Sequence, residues 1–179
     1  MKNTQMRYYV KLAVTLLLIS AVVSGLLGLT NYITEDKIAE ITAQKAAASM
    51  QEVLPADSYE EIDIPGTDTA VIAVYEAAGV GYVVQVEEAG SQDVIDMMVG
   101  VDNEGVVTGV SIIDMSETSG LGANASKESF RSQFIGESGQ LMVDKDGGDI
   151  DSLTGATITS RAVTNGVNAA LNVVAEILN

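Results

Sequence analysis

The chain has 179 residues, a formal net charge of −16, and no cysteine, histidine or tryptophan. Those absences exclude thiolate nucleophiles, disulfides, zinc or haem sites built on Cys or His, and a serine–histidine triad, so any electron handling falls to an organic cofactor. Aromatic residues are only 4% of the chain and the charge is strongly acidic, which argues against a nucleic-acid partner.

The length allows one membrane anchor and one modest domain. Leu12 to Ile33 carries no formal charge and is rich in Leu, Val, Ile and Ala. As a helix it spans roughly 33 Å, enough for a bilayer core of about 30 Å. Tyr8, Tyr9 and Tyr32 stand at its two ends, where amphipathic rings favour the interface. A cleaved signal peptide is the alternative, but the apolar run exceeds the usual h-region and no good cleavage site follows. Lys2, Arg7 and Lys11 precede the span, and all 25 acidic residues follow it. The positive-inside rule then predicts a cytoplasmic N-terminus and an extracytoplasmic domain.

Thr34 to about Val53 reads as a second helical stretch. Thr34 is its candidate cap, Glu35 and Asp36 favour its first turn, and Pro55 ends it. It serves either as a stalk or as a docking helix for partner proteins. The predicted divisions are an anchor over 1–33, a stalk or linker over 34–58, and a domain over 59–179.

Val/Ile-rich runs follow over Ala70–Tyr75, Gly81–Val86, Val94–Val101 and Val106–Ile113. Asp102-Asn103-Glu104-Gly105 is a tight turn that makes a hairpin of the last two. Strands first and helices last predict α+β with an antiparallel sheet, not a doubly wound fold. No glycine fingerprint of a dinucleotide fold follows any strand. Glu117-Thr118-Ser119-Gly120-Leu121-Gly122 comes next, where two glycines let the backbone approach a ligand closely. Ser126 is read as capping a short helix through Phe134, with Phe130 and Phe134 as core residues.

The chain closes on Asp151-Ser152-Leu153-Thr154-Gly155-Ala156-Thr157-Ile158-Thr159-Ser160 and a helix from about Thr159 to Leu178. Ala162, Val163, Val167, Ala170, Leu171, Val174 and Leu178 recur on one helical face. Thr154 or Thr157 is the candidate N-cap, and a helix start suits a phosphate because its N–H groups lack partners.

The ordered string Asp-x-x-Thr-Gly-Ala-Thr-x-Thr-Ser resembles the flavin-attachment motif of the FMN-binding domain family. That family includes the G subunit of Rnf complexes and the C subunit of sodium-translocating NADH:quinone reductases. The resemblance implies FMN held as a covalent phosphoester on Thr157, with Thr154, Gly155 and Ala156 forming the presenting turn. It also implies that a separate flavin transferase moves FMN from FAD onto Thr157. Asp151 serves either transferase recognition or capping of the turn. In the family a Glu-Thr-Pro-Gly-Leu-Gly loop lies near the flavin. Here Glu117, Thr118, Gly120, Leu121 and Gly122 match it, and Ser119 replaces the proline.

The anchor, stalk, sheet, loop and motif together are similar to the G subunit of the Rnf complex. This implies an electron relay within an ion-translocating ferredoxin:NAD oxidoreductase in the cell membrane. The other Rnf subunits are then its partners, with neither NAD nor ferredoxin bound directly. The rivals are the C subunit of the quinone reductase, an anchored scaffold without redox role, and a self-contained flavin reductase.

Overall fold

The computed structural model describes residues 2–63 and 69–178. The first element, α1, runs from Lys2 to Val53. Two compact units divide the chain, one to Ala43 and one from Gln44 onward. In the first unit, α1 is a helix long and apolar enough to cross a membrane, with a mean hydropathy of 2.5 in its most apolar stretch. Leu16, Leu17, Leu26 and Leu27 are all exposed along it. Thr15, Thr30 and Thr34 turn their hydroxyls back onto carbonyls of the preceding turn. Thr34 thus lies inside a continuous helix and caps nothing, because the apolar and polar stretches join without a break.

The second unit is built on a five-stranded antiparallel meander in the order β1-β2-β3-β4-β5. The strands are β1 Tyr59–Ile62, β2 Val71–Ala77, β3 Gly81–Ala89, β4 Val94–Asp102 and β5 Val107–Met115. The β4–β5 hairpin closes at Asp102, whose carboxylate accepts from the amides of Glu104 and Val106 at 2.9 Å. The tight turn that the sequence predicts is thus held by Asx-type bonds. The edge strand β1 is absent from the predicted elements, since Tyr-Glu-Glu-Ile carries too little apolar signal to mark a strand.

Both faces of the sheet are covered. The C-terminal helix, Thr157–Leu178 (α3), packs Val163, Val167, Ala170 and Val174 on one face with Val84, Val86, Met97 and Val99. Val53 and Leu54, at the end of α1, pack on the other with Val83, Met98 and Ile113. Burial on both sides explains why β4 is buried continuously from Met97 to Val101 instead of alternating. Between β5 and α3, the expected helix from Ser126 to Phe134 is broken into pieces. A 3₁₀ turn over Gly122–Ser126 precedes a one-turn helix, α2, Glu128–Arg131, and a second 3₁₀ turn over Ser132–Phe134. Ser126 caps no helix; its hydroxyl bonds back to Ala123 O and closes the first turn. Phe130 and Phe134 are core residues as expected, buried and edge-to-face at 5.6 Å.

The end of α1 rests directly on the sheet backbone. Gly100 and Gly109 are cross-strand partners, and Val53 sits over both. Thr108 donates to Val53 O at 2.6 Å. Alongside, Glu52 accepts from Ser111 at 2.7 Å and from Arg131 at 2.9 Å. Burial pushes the Glu52 carboxyl up, but these hydrogen bonds outweigh it and hold the group below the ordinary range. A Cβ on Gly100 would lie 2.6 Å from Val53 O and 2.5 Å from Thr108 Oγ1, both inside contact distance. Gly100→Ala is therefore expected to destabilise the full chain by about 1–3 kcal/mol through overpacking. A lower denaturation midpoint in detergent is the readout, and an unchanged one would contradict the packing.

Candidate functional site

The two loops that the sequence singles out are brought together at the start of α3, on an open surface. Each is organised by the same turn. Leu121 N donates to Thr118 O at 3.1 Å, and Ala156 N donates to Leu153 O at 3.0 Å. Gly120 and Gly155 hold the third position of these turns with φ of 78° and 76°, as a type II turn requires. Ser119 occupies the second position, where proline is favoured but not needed, so the turn forms without it. The turns meet: a Cβ on Gly155 would lie 3.2 Å from Leu121 Cδ2.

Glu117 joins the two loops chemically. One carboxylate oxygen accepts from the amides of Ser91 and Gln92, at 2.6 and 3.2 Å, in the β3–β4 connection. The other accepts from the Thr159 hydroxyl at 2.9 Å. Thr159 is fully buried in the first turn of α3. Gly122 lies against this pair, and a Cβ there would collide with both Glu117 Oε2 and Thr159 Oγ1. Thr118 accepts a hydrogen bond from the Gln92 side-chain amide through its hydroxyl.

The helix α3 begins at Thr157, two residues earlier than the apolar periodicity suggests. Thr157 is then the first helical residue, and Ala156 occupies the position ahead of it. Neither Thr154 nor Thr157 acts as the cap, contrary to the expectation from sequence. Ser160 instead ties the preceding turn to the helix: its Oγ accepts from Leu153 N at 2.9 Å and donates to Ala156 O at 3.0 Å. Thr154 and Gly155 are exposed, Ala156 is buried, and Thr157 is half-buried. Among the described residues the amides of Thr157, Ile158 and Thr159 have no backbone acceptor, so three N–H groups stand at the positive end of the helix dipole.

The acidic segment braces the turn from outside. Asp144 accepts from the amide of Ser152 at 3.0 Å and from Lys145 at 2.8 Å. The Lys145 bond first, and then those from Ser152, hold the Asp144 carboxyl far below the ordinary range. Asp146 takes a two-pronged bond from Arg161, Nε at 2.7 Å and Nη2 at 2.6 Å, which lowers its pKa as well. Asn168 fixes the start of this segment by pairing both halves of its amide with Leu141, at 2.8 and 2.9 Å. Asp151 is exposed and, among the described residues, its carboxylate caps nothing; its backbone is instead held by Gln133 at 2.7 and 3.3 Å. Sequence alone gives Thr159, Ser160 and Arg161 no role. The first two stand within the Asp151–Ser160 string, but only the fold shows where their hydroxyls point.

The fold and the matched segments define the class. Residues 90–172, which include both loops, match the model of an FMN-binding domain, and residues 1–53 match the RnfG N-terminal region. Among relatives, the chain is 31% identical over 175 residues to the G subunit of the ion-translocating oxidoreductase complex of Methanosarcina acetivorans, covering 92% of this chain and 93% of that one. It is 38% identical over 189 residues to the G subunit of the Na(+)-translocating ferredoxin:NAD(+) oxidoreductase complex of Acetobacterium woodii, covering 91% and 90%. A crystal structure of the C subunit of the Na(+)-translocating NADH-quinone reductase from Parabacteroides distasonis shares the fold. Its TM-score is 0.54, with 22% identity over 76% of this chain and 83% of that one. The chain belongs to the G-subunit family of ion-translocating oxidoreductase complexes.

Replacing Ser160 by Ala would leave the Leu153 N–H without its acceptor. A cost of about 1 kcal/mol is expected, together with faster hydrogen exchange at the Leu153 amide. Wild-type protection of that amide in Ser160→Ala would show that the hydroxyl does not hold the turn.

Proposed function

We propose that this chain is the electron-relay G subunit of a membrane-bound, ion-translocating ferredoxin:NAD oxidoreductase, and that it carries FMN as a phosphoester on Thr157. The observation that carries the reading is the state of Thr157. It opens α3 with no hydrogen bond to its hydroxyl among the described residues, and three helix-start amides and a turn of small residues surround it. A bulky residue at 154–156 would block both a modifying enzyme and a phosphate. The family match supports FMN as the group, and the relatives' names support membership in a multisubunit redox complex.

The chain has no histidine to activate the hydroxyl, so attachment requires a flavin transferase. Thr157 Oγ forms the bond to the flavin-side phosphorus of FAD, the pyrophosphate P–O bond breaks, AMP leaves, and the hydroxyl proton passes to a base of the transferase. Once bound, FMN supplies the redox chemistry, and the chain supplies position and electrostatics. The amides of Thr157, Ile158 and Thr159 offer donors to a phosphoryl oxygen. The paired turns at Gly120 and Gly155, with Leu121 exposed between them, would offer the surface for the ring. Glu117, Thr118 and Gly122 hold that surface in place through the start of α3. Asp151 contributes as an exposed recognition residue for the transferase.

The anchor occupies residues 1–33, with a cytoplasmic N-terminus; residues 34–58 form the linker, its last turns packed on the sheet; residues 59–179 form the extracytoplasmic domain. The basic residues before the span and the acidic ones after it support this orientation. An ester-linked cofactor cannot be lost by dilution outside the cell, which fits the same placement.

Thr157→Val co-expressed with a flavin transferase is expected to lose the ultraviolet fluorescence that the wild-type chain shows in a denaturing gel. Fluorescence retained in that variant would move the attachment elsewhere, and a colourless wild-type protein would favour a scaffold. For topology, protease added to cells with an opened wall is expected to digest residues after Ile33. Protection of that region would reverse the orientation.

A further inference from the structure

A phosphodiester on Thr157 carries one negative charge at neutral pH, and the segment before it already holds Asp144, Asp146, Asp149 and Asp151. From Asp146 to the end of the chain there is a single basic residue, Arg161. It stands one helical turn beyond Thr157 at the i,i+4 spacing, on the same strip of α3. The Cα–Cβ bonds of a helix tilt toward its N-terminus, so the Arg161 side chain leaves the backbone on the Thr157 side.

The Arg161 side chain is held but not used up. Asp146 engages its Nε–H and one Nη2–H, which leaves three of the five guanidinium donors for another acceptor. Both partners are about half exposed, with side-chain exposures of 47% and 38%, and an exposed ion pair of this kind contributes little to stability. What the bidentate contact does achieve is a fixed guanidinium plane, the geometry that suits a phosphoryl oxygen.

We propose that Arg161, oriented by Asp146, is the counter-ion of the phosphoryl group carried on Thr157. This rests on the reading that FMN is esterified there. Arg161 is a phosphate-binding residue and Asp146 its positioning partner. Together with the three helix-start amides, the guanidinium fixes the diester and limits the swing of the attached group.

Three variants of the full chain, co-expressed with the transferase, test this: Arg161→Gln, Arg161→Lys and Asp146→Asn. Intact mass first establishes that wild type carries FMN; a bare wild-type chain overturns the attachment reading and this proposal together. On loaded protein, Arg161→Gln is expected to shift the ³¹P resonance of the diester and lower the flavin fluorescence anisotropy. Arg161→Lys should restore part of both. Asp146→Asn should shift both in the same direction but by clearly less than Arg161→Gln, because it loosens the guanidinium without removing it. A brace that merely joins the acidic segment to α3 would be broken equally by Arg161→Gln and Asp146→Asn. Identical behaviour of those two variants, whether both shifted, both unchanged or both unloaded, overturns the proposal. Failure of Arg161→Gln alone to load, with Asp146→Asn loaded normally, supports it.

Discussion

One carboxylate sets the geometry on which the site depends. Glu117 is half-buried just beyond the end of the sheet, where an ionised group must find donors or lose the free energy of its hydration. It finds two amides in the β3–β4 connection and one hydroxyl in the first turn of α3. These charge-assisted bonds tie three separate parts of the chain to a single point. The close packing at Gly122 follows from this, since no side chain fits between the carboxylate and the helix it holds.

The rest of the site is arranged so that the Thr157 hydroxyl has no structural duty. Ser160 holds Leu153, Thr159 binds Glu117, and Gln133 holds the backbone at Asp151. Thr157 stands in the middle of this network and takes no part in it. The attachment proposed for Thr157 needs a residue that is accessible and conformationally defined at once. Leaving the bracing of the turn to neighbours meets both requirements. The three-layer core behind it, with α3 on one face of the sheet and the end of α1 on the other, gives the helix start a fixed base.

Much of this is legible in the sequence. The four apolar strands, the β4–β5 turn, the core face of α3 and the α+β class follow from periodicity and turn chemistry, because those signals are local. What stays hidden is long-range. Nothing in Tyr59–Ile62 marks an edge strand until β2 supplies the partner. The helix expected after Ser126 breaks up because its periodicity is too short to outweigh 3₁₀ turns fixed by tertiary contacts. Assigning the cap to Thr154 or Thr157 rests on residue preference, whereas the hydroxyl that holds this turn belongs to Ser160, which bonds Leu153 N and Ala156 O from inside the helix. The Glu117–Thr159 bond and the Arg161–Asp146 pair link positions far apart in sequence, and no spacing rule finds such contacts.

The central claim is that one threonine at the start of α3 carries FMN through phosphorus. Peptide mapping by mass spectrometry of the chain purified from its native membranes addresses it most directly. The account predicts that the peptide spanning Asp151 to Arg161 bears one FMN less one water, localised on Thr157. An unmodified peptide from a complex that still passes electrons at its normal rate would contradict it.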